Sequence, residues 1–157
     1  MMYTKYLALA FVLFIFSCSQ KSDQNETQDP LWDLEEQVFE KGENIKIDEI
    51  NKSIEKASSM RLSWAYSPIT IAIRIAGQQM IGPNVKILAK SLSGNELITH
   101  VVVMVEKKSI PDDSIADEYY RVELKLGGSI WQVVDIKNAW SCRTNRGHSE
   151  VSAVLCK

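Results

Sequence analysis

The stretch from Tyr119 to Cys142, YYRVELKLGGSIWQVVDIKNAWSC, decides the fold of this chain. In its first half, apolar and charged side chains alternate with a period of two, which is the pattern of a half-buried β-strand. Gly127 and Gly128 follow, and both tolerate the positive φ that a two-residue hairpin turn requires. The stretch therefore predicts a β-hairpin.

A turn at these two glycines sets the register of the hairpin. It places the apolar residues of both strands on one face, through the pairs Leu126–Ser129, Leu124–Trp131, Val122–Val133 and Tyr120–Asp135. The other face carries Lys125, Glu123 and Arg121. A slip of one residue would move Trp131 to this charged face, so the register is well specified. We predict core positions at Leu124, Val122, Trp131 and Val133.

The N-terminus has the pattern of an export signal. Lys5 precedes ten apolar residues, 7–16, whereas a membrane-spanning helix needs about 20. A short basic region followed by a brief apolar core is typical of a secretory signal peptide, which we assign to residues 1–17.

The four residues Ile15-Phe16-Ser17-Cys18 resemble the lipobox of bacterial lipoproteins. In that family the signal peptide is cut before the cysteine, which then carries the lipid. The resemblance implies that Cys18 is acylated, with palmitate among the attached chains, and that the membrane is a partner. Ser19 in the next position implies the outer membrane of the cell envelope, facing the periplasm. Phe16 is bulkier than usual, and an ordinary signal peptide with an incidental cysteine is the alternative.

The composition after residue 17 bounds the class of protein. Loss of Lys5 leaves 17 basic and 20 acidic residues, a net charge of −3. This mild charge balance argues against a nucleic-acid partner, because a nucleic-acid-binding protein would show a clustered basic face. Residues 18–28 read as the lipidated cysteine and a polar tether that is too polar to fold. Residues 29–157 are long enough for a single domain.

The first part of this domain reads as helical. Asp29 followed by Pro30 is a helix start, and we predict one helix from Asp29 to Lys41. Isoleucines and alanine at helical spacing predict a second helix over residues 47–59.

The rest of the domain reads as strands. Isoleucines alternate strictly in residues 67–76 and favour a strand, although Ser67 and Pro68 could cap a helix. Residues 85–90 alternate as a half-buried strand, and residues 96–106 are apolar on both faces, which predicts an internal strand. Turns are expected at residues 82–84 and 93–95.

This order predicts an α+β fold, with N-terminal helices followed by an antiparallel sheet of about five strands. A strongly curved sheet of this kind would resemble nuclear-transport-factor-like and cystatin-like folds in outline. Many functions share such folds, so the outline alone assigns none.

The C-terminal segment holds most of the candidate functional residues. With Cys18 lipidated, Cys142 and Cys156 remain as a pair, and we predict a disulfide in an oxidising compartment. Arg143 and Arg146 inside this loop could grip a carboxylate or phosphate. The alternative is a cross-linked surface loop without a ligand.

Acid–base chemistry has a few candidates. His148 could act as a base with Glu150, Asp112 or Asp113. Asp112 and Asp113 could instead make turn hydrogen bonds after a proline. Zinc on the cysteines and histidine matches no common spacing, so we expect no metal, and no cofactor motif is present. The four tryptophans, Trp32, Trp64, Trp131 and Trp140, could line a sugar- or lipid-binding cleft, with Trp140 the first choice at the hairpin end.

The C-terminal third resembles an uncharacterised group of exported bacterial proteins. The matching pieces are DDS at 112–114, the tyrosine-rich strand 119–126, WQV at 131–133, and the C-x-x-x-R-G-H…C pattern from Cys142 to Cys156. The resemblance implies a domain type and adds no reaction. It directs attention to Arg146 and His148.

These observations predict a lipid-anchored cell-envelope protein with a non-catalytic binding or scaffold domain. Two alternatives remain. One is an envelope hydrolase that uses His148 with a nearby acid, and the other is a small anion-binding module that uses Arg143 and Arg146. A protein partner is not specified by any motif.

Overall fold

The computed structural model describes residues 29–77, 84–94 and 96–157. They form an α+β fold with a five-stranded antiparallel sheet in the order β1-β5-β4-β3-β2. The predicted signal peptide, Cys18, the tether and parts of the two turns at 82–84 and 93–95 lie outside the described residues. The sheet is open, because β1 and β2 form its two edges.

The strands are β1 Glu43–Asn44, β2 Val85–Ser91, β3 His100–Lys108, β4 Ile115–Gly127 and β5 Ile130–Cys142. The helices are α1 Pro30–Asp33, α2 Glu35–Lys41, α3 Asp48–Ser59 and α4 Pro68–Ile75, with a 3₁₀ helix at Ser63–Tyr66. All helices precede the four long strands, as predicted. Among the described residues, no helix is both long enough and apolar enough to cross a bilayer.

Helices cover both faces of the sheet, and alternate residues along each strand point to opposite faces. On one face, Val101, Val103 and Val105 of β3 pack with α3, α4 and the 3₁₀ helix. On the other, Met104 of β3 packs with α1, α2 and Val151 of the C-terminal segment. We call these the α3/α4 face and the α1/α2 face.

The first predicted helix is broken into two pieces. The Asp29 carboxylate accepts a hydrogen bond from the Leu31 amide (3.0 Å) at the predicted start, with Pro30 in the first turn. The chain then leaves the helix at Leu34, so α1 and α2 are separate and the prediction of one continuous helix was wrong. Leu31 in α1 and Val38 in α2 are both buried against the sheet.

Residues 67–76 form a helix, so the predicted strand was wrong. The Ser67 hydroxyl accepts a hydrogen bond from the Thr70 amide, and Pro68 occupies the first helical turn. Ile71, Ala72 and Ala76 are buried at helical spacing, whereas Ile69 is 41% exposed. The helix cap and tertiary packing therefore determine the structure of this segment, although its alternating isoleucines favour a strand.

The internal strand β3 is buried on both faces as predicted, with Val101 to Val105 all at or below 4% exposure. It begins later than the sequence predicted, at His100 instead of residue 96. Leu97 and Ile98 consequently lie in the connection from β2 and are 72% and 57% exposed.

The hairpin forms, but its register differs from the prediction by two residues. Leu126 pairs with Trp131 and Leu124 with Val133, which places the turn at Gly128 and Ser129. A shift of two preserves the faces, so the four predicted core residues are all buried. An irregularity beyond Leu124 then brings Ile136 opposite Val122 and into the core.

The outer edge of β5 is closed by a side chain from α3. The Asn51 amide donates to the Val133 carbonyl and its oxygen accepts from the Val133 amide, both at 2.9 Å. The Ile45 amide donates to the Ile136 carbonyl further along (3.1 Å). These bonds occupy backbone groups that an edge strand would otherwise offer to another chain.

Candidate functional site

The predicted disulfide between Cys142 and Cys156 is confirmed. Gly147 packs against it: a Cβ at this position would lie 2.8 Å from Cys142 Sγ, and its φ of +149° is one that other residues rarely adopt. The glycine of the R-G-H sequence is therefore required by the cross-link.

His148 is held by the same loop. Nδ1 lies 2.6 Å from the Glu150 carbonyl and Nε2 lies 2.7 Å from the Val154 carbonyl. The Trp140 indole also donates to the Val154 carbonyl (3.0 Å), and Trp140 is only 8% exposed. Both residues therefore serve the loop, and His148 has no carboxylate partner among the described residues.

Arg143 and Asp112 tie the loop to the β3–β4 connection. The Arg143 guanidinium donates to the Asp112 carbonyl (2.6 Å) and to the Ile110 carbonyl (2.7 Å). The Asp112 carboxylate accepts from the amides of Ile115 and Ser114, and these bonds, with Arg143 nearby, lower the pKa of Asp112. Both side chains are thus occupied by turn structure.

The remaining candidates of this segment do not converge on a site. The Glu150 carboxylate pairs with Lys41 at an exposed position (3.3 Å). Asp113 and Arg146 are exposed, and neither side chain has a hydrogen-bond or ion-pair partner within the described residues. A concavity of about 390 Å³ lies beside Arg143, but the guanidinium there already donates to backbone carbonyls.

A metal-ligand grouping is present in the same loop. Ligand atoms of Cys142, His148 and Cys156 lie within 4.8 Å of one another. The disulfide uses both sulfurs, and both imidazole nitrogens lie against carbonyl oxygens. With the disulfide formed, these three residues form a cross-linked loop, which we call the staple, and they offer no open coordination site for a metal.

A cleft opens on the α3/α4 face, away from the staple. Its volume is about 240 Å³, and four isoleucines form most of its wall. The complete lining is Ile50, Ser53, Ile54, Trp64, Ile71, Arg74 and Ile75. Two helices and the 3₁₀ helix therefore contribute to one predominantly apolar site, the composition expected of a small-molecule pocket.

The mouth of this cleft carries a stacked cation. The Arg74 guanidinium carbon lies 4.4 Å from the centroid of the Trp64 ring. Arg74 is exposed, and its side chain makes no hydrogen bond or ion pair with the described residues. Stacking orients the planar guanidinium while its N–H donors stay available, an arrangement suited to a carboxylate or phosphate.

Local sequence explains this geometry. In α4, Ile71, Arg74 and Ile75 are three or four residues apart and therefore share one helix face. In α3, Ile50, Ser53 and Ile54 do the same. The Thr70 hydroxyl donates to the Trp64 carbonyl (2.8 Å), which joins the 3₁₀ helix to the start of α4.

The α1/α2 face contains a different polar feature. Arg121, 8% exposed in its side chain, forms ion pairs with Glu35 (2.9 Å), Glu123 (3.1 Å) and Asp135 (3.5 Å). His100 adds a hydrogen bond to Glu123 (2.7 Å). Burial tends to raise the pKa of Glu123, but the hydrogen bonds from His100 and Arg121 outweigh it and lower that pKa. We call these five residues the Arg121 cluster.

Two neighbouring tyrosines of β4 also have shifted pKa values. Burial, with the nearby Asp117 and Glu106 carboxylates, raises the pKa of Tyr119 to about 12. Burial and a hydrogen bond to Glu118 (2.7 Å) raise the pKa of Tyr120 further. Both tyrosines are thereby held as neutral phenols, which fits a packing role.

Comparison with known proteins gives no relative: no family model, curated protein or solved structure matches this chain. Function must therefore be inferred from the site itself.

Sequence reasoning included Trp64 among four tryptophans for a cleft but missed its partners. The strand prediction for residues 67–76 hid the shared face of Ile71, Arg74 and Ile75. The signal that could have found it was the Ser67-Pro68 cap.

Proposed function

We propose that this chain is a lipid-anchored cell-envelope protein whose domain binds a small amphipathic anion in the cleft between α3 and α4. The lipid is expected on Cys18, at the outer membrane facing the periplasm. The observation that carries the binding proposal is the Arg74 guanidinium stacked on Trp64 above a wall of isoleucines. The ligand class is a monocarboxylate with an apolar chain.

The two halves of such a ligand match the two parts of the cleft. A carboxylate can accept two parallel N–H bonds from Arg74, and such charge-assisted bonds are stronger than neutral ones. The apolar chain would leave water for the surface of Ile50, Ile54, Ile71 and Ile75. Neither a histidine nor a carboxylate is among the described lining residues, and this composition supports binding without chemistry.

The hydrolase alternative has less geometric support. A general base needs a free nitrogen within reach of a substrate proton. Both His148 nitrogens lie within 2.7 Å of backbone carbonyls, and Glu150 is paired with Lys41. The other histidine, His100, is paired with Glu123 on the α1/α2 face.

The anchor is tested by replacing Cys18. Wild-type protein should fractionate with membranes and resist a high-salt wash, because a covalent lipid is insensitive to screening. The Cys18→Ala variant should be released to a greater extent than wild type. Metabolic labelling with radioactive palmitate should mark wild type and not the variant, and equal labelling of the two, or labelling of neither, would contradict the anchor.

The cleft is tested with sodium decanoate as the probe, followed through the Trp64 indole ¹⁵N–H signal in NMR spectra. Binding should shift this signal more than the indole signals of Trp131 and Trp140. Arg74→Gln should weaken binding about tenfold, because a hydrogen bond to a charged group is lost. Decanol, which lacks the carboxylate, should bind weakly to both proteins.

Arg146→Gln is the matched control, since Arg146 is an exposed arginine outside the cleft. It should leave decanoate binding unchanged. If Arg146→Gln weakens binding and Arg74→Gln does not, the anion-binding alternative in the disulfide loop replaces this proposal.

A further inference from the structure

The connection between β2 and β3 exposes apolar side chains at one end of the sheet. Leu97 is 72%, Ile98 57% and Leu92 42% exposed. Leu126, at the adjacent β4–β5 turn, is 37% exposed. We call these four residues the apolar tip. Scattered exposed leucines are ordinary, but a contiguous apolar patch marks a surface that meets a partner.

The base of the tip is fixed by hydrogen bonds. The Ser93 hydroxyl oxygen accepts from the Thr99 amide (2.8 Å) and the His100 amide (2.9 Å). The Leu92 amide donates to the His100 carbonyl and the Leu126 amide to the Thr99 carbonyl, both at 2.8 Å. The last bond joins the two loops, so the four residues lie at the same end of the sheet.

Charged side chains lie directly behind the tip. Lys90, near the end of β2, and Lys125, near the end of β4, are both exposed. Glu96 in the tip loop is exposed and opposes them with one negative charge. Apolar side chains with lysines behind them match an interfacial membrane contact, in which the lysines meet anionic headgroups.

We propose that the apolar tip inserts into the membrane interface, so that the domain has a second attachment besides the lipid on Cys18. This inference rests on the anchor part of the proposed function and is independent of the cleft. Membrane attachment is stronger when lipid chains are combined with a second element of the protein.

The chain length allows both attachments at once. The domain begins at Asp29, whose carboxylate pairs with Lys86 (2.6 Å) near the start of β2. From there to Leu92 is about 20 Å along the strand. The ten residues 19–28 span up to about 33 Å when extended, so the anchor and the tip can reach the same leaflet.

Vesicle binding without the lipid tests the tip alone. The probe is vesicles of phosphatidylethanolamine and phosphatidylglycerol, and the protein is residues 18–157 carrying Cys18→Ser. This protein should co-sediment with vesicles, and Leu97→Asp with Ile98→Asp should reduce its partitioning about tenfold or more. Leu155→Asp is the control, because Leu155 is 84% exposed but lies near Cys156, beyond the opposite end of the hairpin.

A labelling experiment measures contact of the tip with the membrane in lipidated protein. It does not depend on the affinity of the unlipidated domain for vesicles. In lipidated protein, a polarity-sensitive fluorophore on Leu97→Cys should shift its emission to the blue when vesicles are present. The same label on Leu155→Cys should not shift. Equal emission at both positions, or equal sedimentation of the Leu97/Ile98 variant and its parent, would overturn the proposal.

Two other outcomes can be distinguished from membrane insertion of the tip. Tip-dependent self-association in the absence of vesicles, seen by sedimentation velocity, would mean that a second copy of the chain covers the tip and would also overturn the membrane contact. Failure of the palmitate-labelling test of Cys18→Ala concerns the anchor alone. The vesicle assay uses unlipidated protein, so either result can fail while the other stands.

Discussion

The two faces of the sheet solve burial in different ways. The α3/α4 face packs isoleucine, valine and alanine into a core and leaves a cleft with an arginine at its mouth. The α1/α2 face buries Arg121 beneath α2. At the end of β5, a disulfide links Cys142 to Cys156. The arginine of the first face stays exposed at its surface, whereas the arginine of the second face is buried among carboxylates.

The two arginines differ in their partners. Arg121 has three carboxylates around it, and the Phe39 ring lies 4.8 Å from its guanidinium carbon. Arg74 has an aromatic ring and no carboxylate within the described part of the chain. An arginine that is stacked but not paired is available to a ligand; one that is stacked and paired holds the structure together.

Removal of the buried cation should produce the largest loss of stability. Arg121→Ala leaves Glu35, Glu123 and Asp135 without their common partner, and breaking such a buried pair costs about 3–5 kcal/mol. The loss should lie toward the lower end, because these carboxylates keep 19–30% of their side-chain surface exposed. Urea unfolding monitored by circular dichroism measures it.

Lys137→Ala is the matched control, since Lys137 lies 5.7 Å from the same Phe39 ring but belongs to no ion pair among the described residues. It should change stability by less than about 1 kcal/mol. An equal cost for both variants would mean that Arg121 acts only through packing.

Removal of the staple should produce the second largest loss. The Cys142–Cys156 loop closes 14 residues of sequence separation, for which the chain-entropy estimate is about 3 kcal/mol. Cys142→Ala with Cys156→Ala should therefore lower the free energy of unfolding by about this amount. Decanoate binding in the cleft should survive under conditions where the variant stays folded.

This pair of measurements distinguishes a staple from a site. If the cysteine variant stays folded but loses ligand binding, the working site belongs to the disulfide loop and the contrast between the two faces fails.

The hairpin shows how far sequence reasoning can reach. Its alternating pattern correctly predicted the two faces, because a side chain's face depends only on parity. The register was wrong because Gly127-Gly128 and Gly128-Ser129 both offer a turn, and Gly128, with φ of +71°, supplies the positive angle in the observed one. The entry of Ile136 into the core could not be predicted, since it depends on a local irregularity that has no residue signature here.

Residues 67–76 show a conflict between two local signals. Alternating β-branched residues favour a strand, and a serine–proline cap favours a helix. Packing decided between them, because only a helix buries Ile71, Ala72 and Ala76 together against β3. The cleft forms only because this segment is a helix. Sequence reasoning therefore named Trp64 but could not place Arg74 beside it.

The C-terminal segment shows the reverse case. Its candidate residues were all recognisable, and the disulfide was predicted from cysteine usage. Their roles depended on partners that no sequence pattern reveals: the carbonyls of Ile110 and Asp112 for Arg143, and those of Glu150 and Val154 for His148.

The bond that closes the β5 edge should have a smaller effect. Asn51→Ala removes two hydrogen bonds to Val133, each worth about 1 kcal/mol, so the loss should be about 2 kcal/mol. The freed edge should also raise self-association, because unpaired strand groups can bond to another chain. Thermal unfolding at several protein concentrations measures both effects.

Lys52→Ala is the control for that variant, since Lys52 is next in sequence and its side chain pairs only with the exposed Glu49 among the described residues. A concentration dependence in Lys52→Ala equal to that in Asn51→Ala would show that helix α3, and not the edge bond, limits association.

The smallest effect is a pH dependence that belongs to the α1/α2 face alone. The folded-state pKa of Glu123 is lowered, so the native state favours the carboxylate. Its contribution to stability is present above the ordinary glutamate pKa of 4.5 and is lost as the pH falls through the lower folded value. The Arg121 cluster should therefore weaken on acidification while the apolar α3/α4 face does not.

Glu123→Gln tests this sign directly. The variant should be less stable than wild type near neutral pH, and the gap should narrow as the pH falls below 4.5, because the wild-type carboxylate then becomes protonated too. Amide hydrogen exchange can locate the change: protection in α2 should fall in acid before protection in α3 does. If both helices lose protection together, the two faces form one cooperative unit and their contrast is one of chemistry and not of stability.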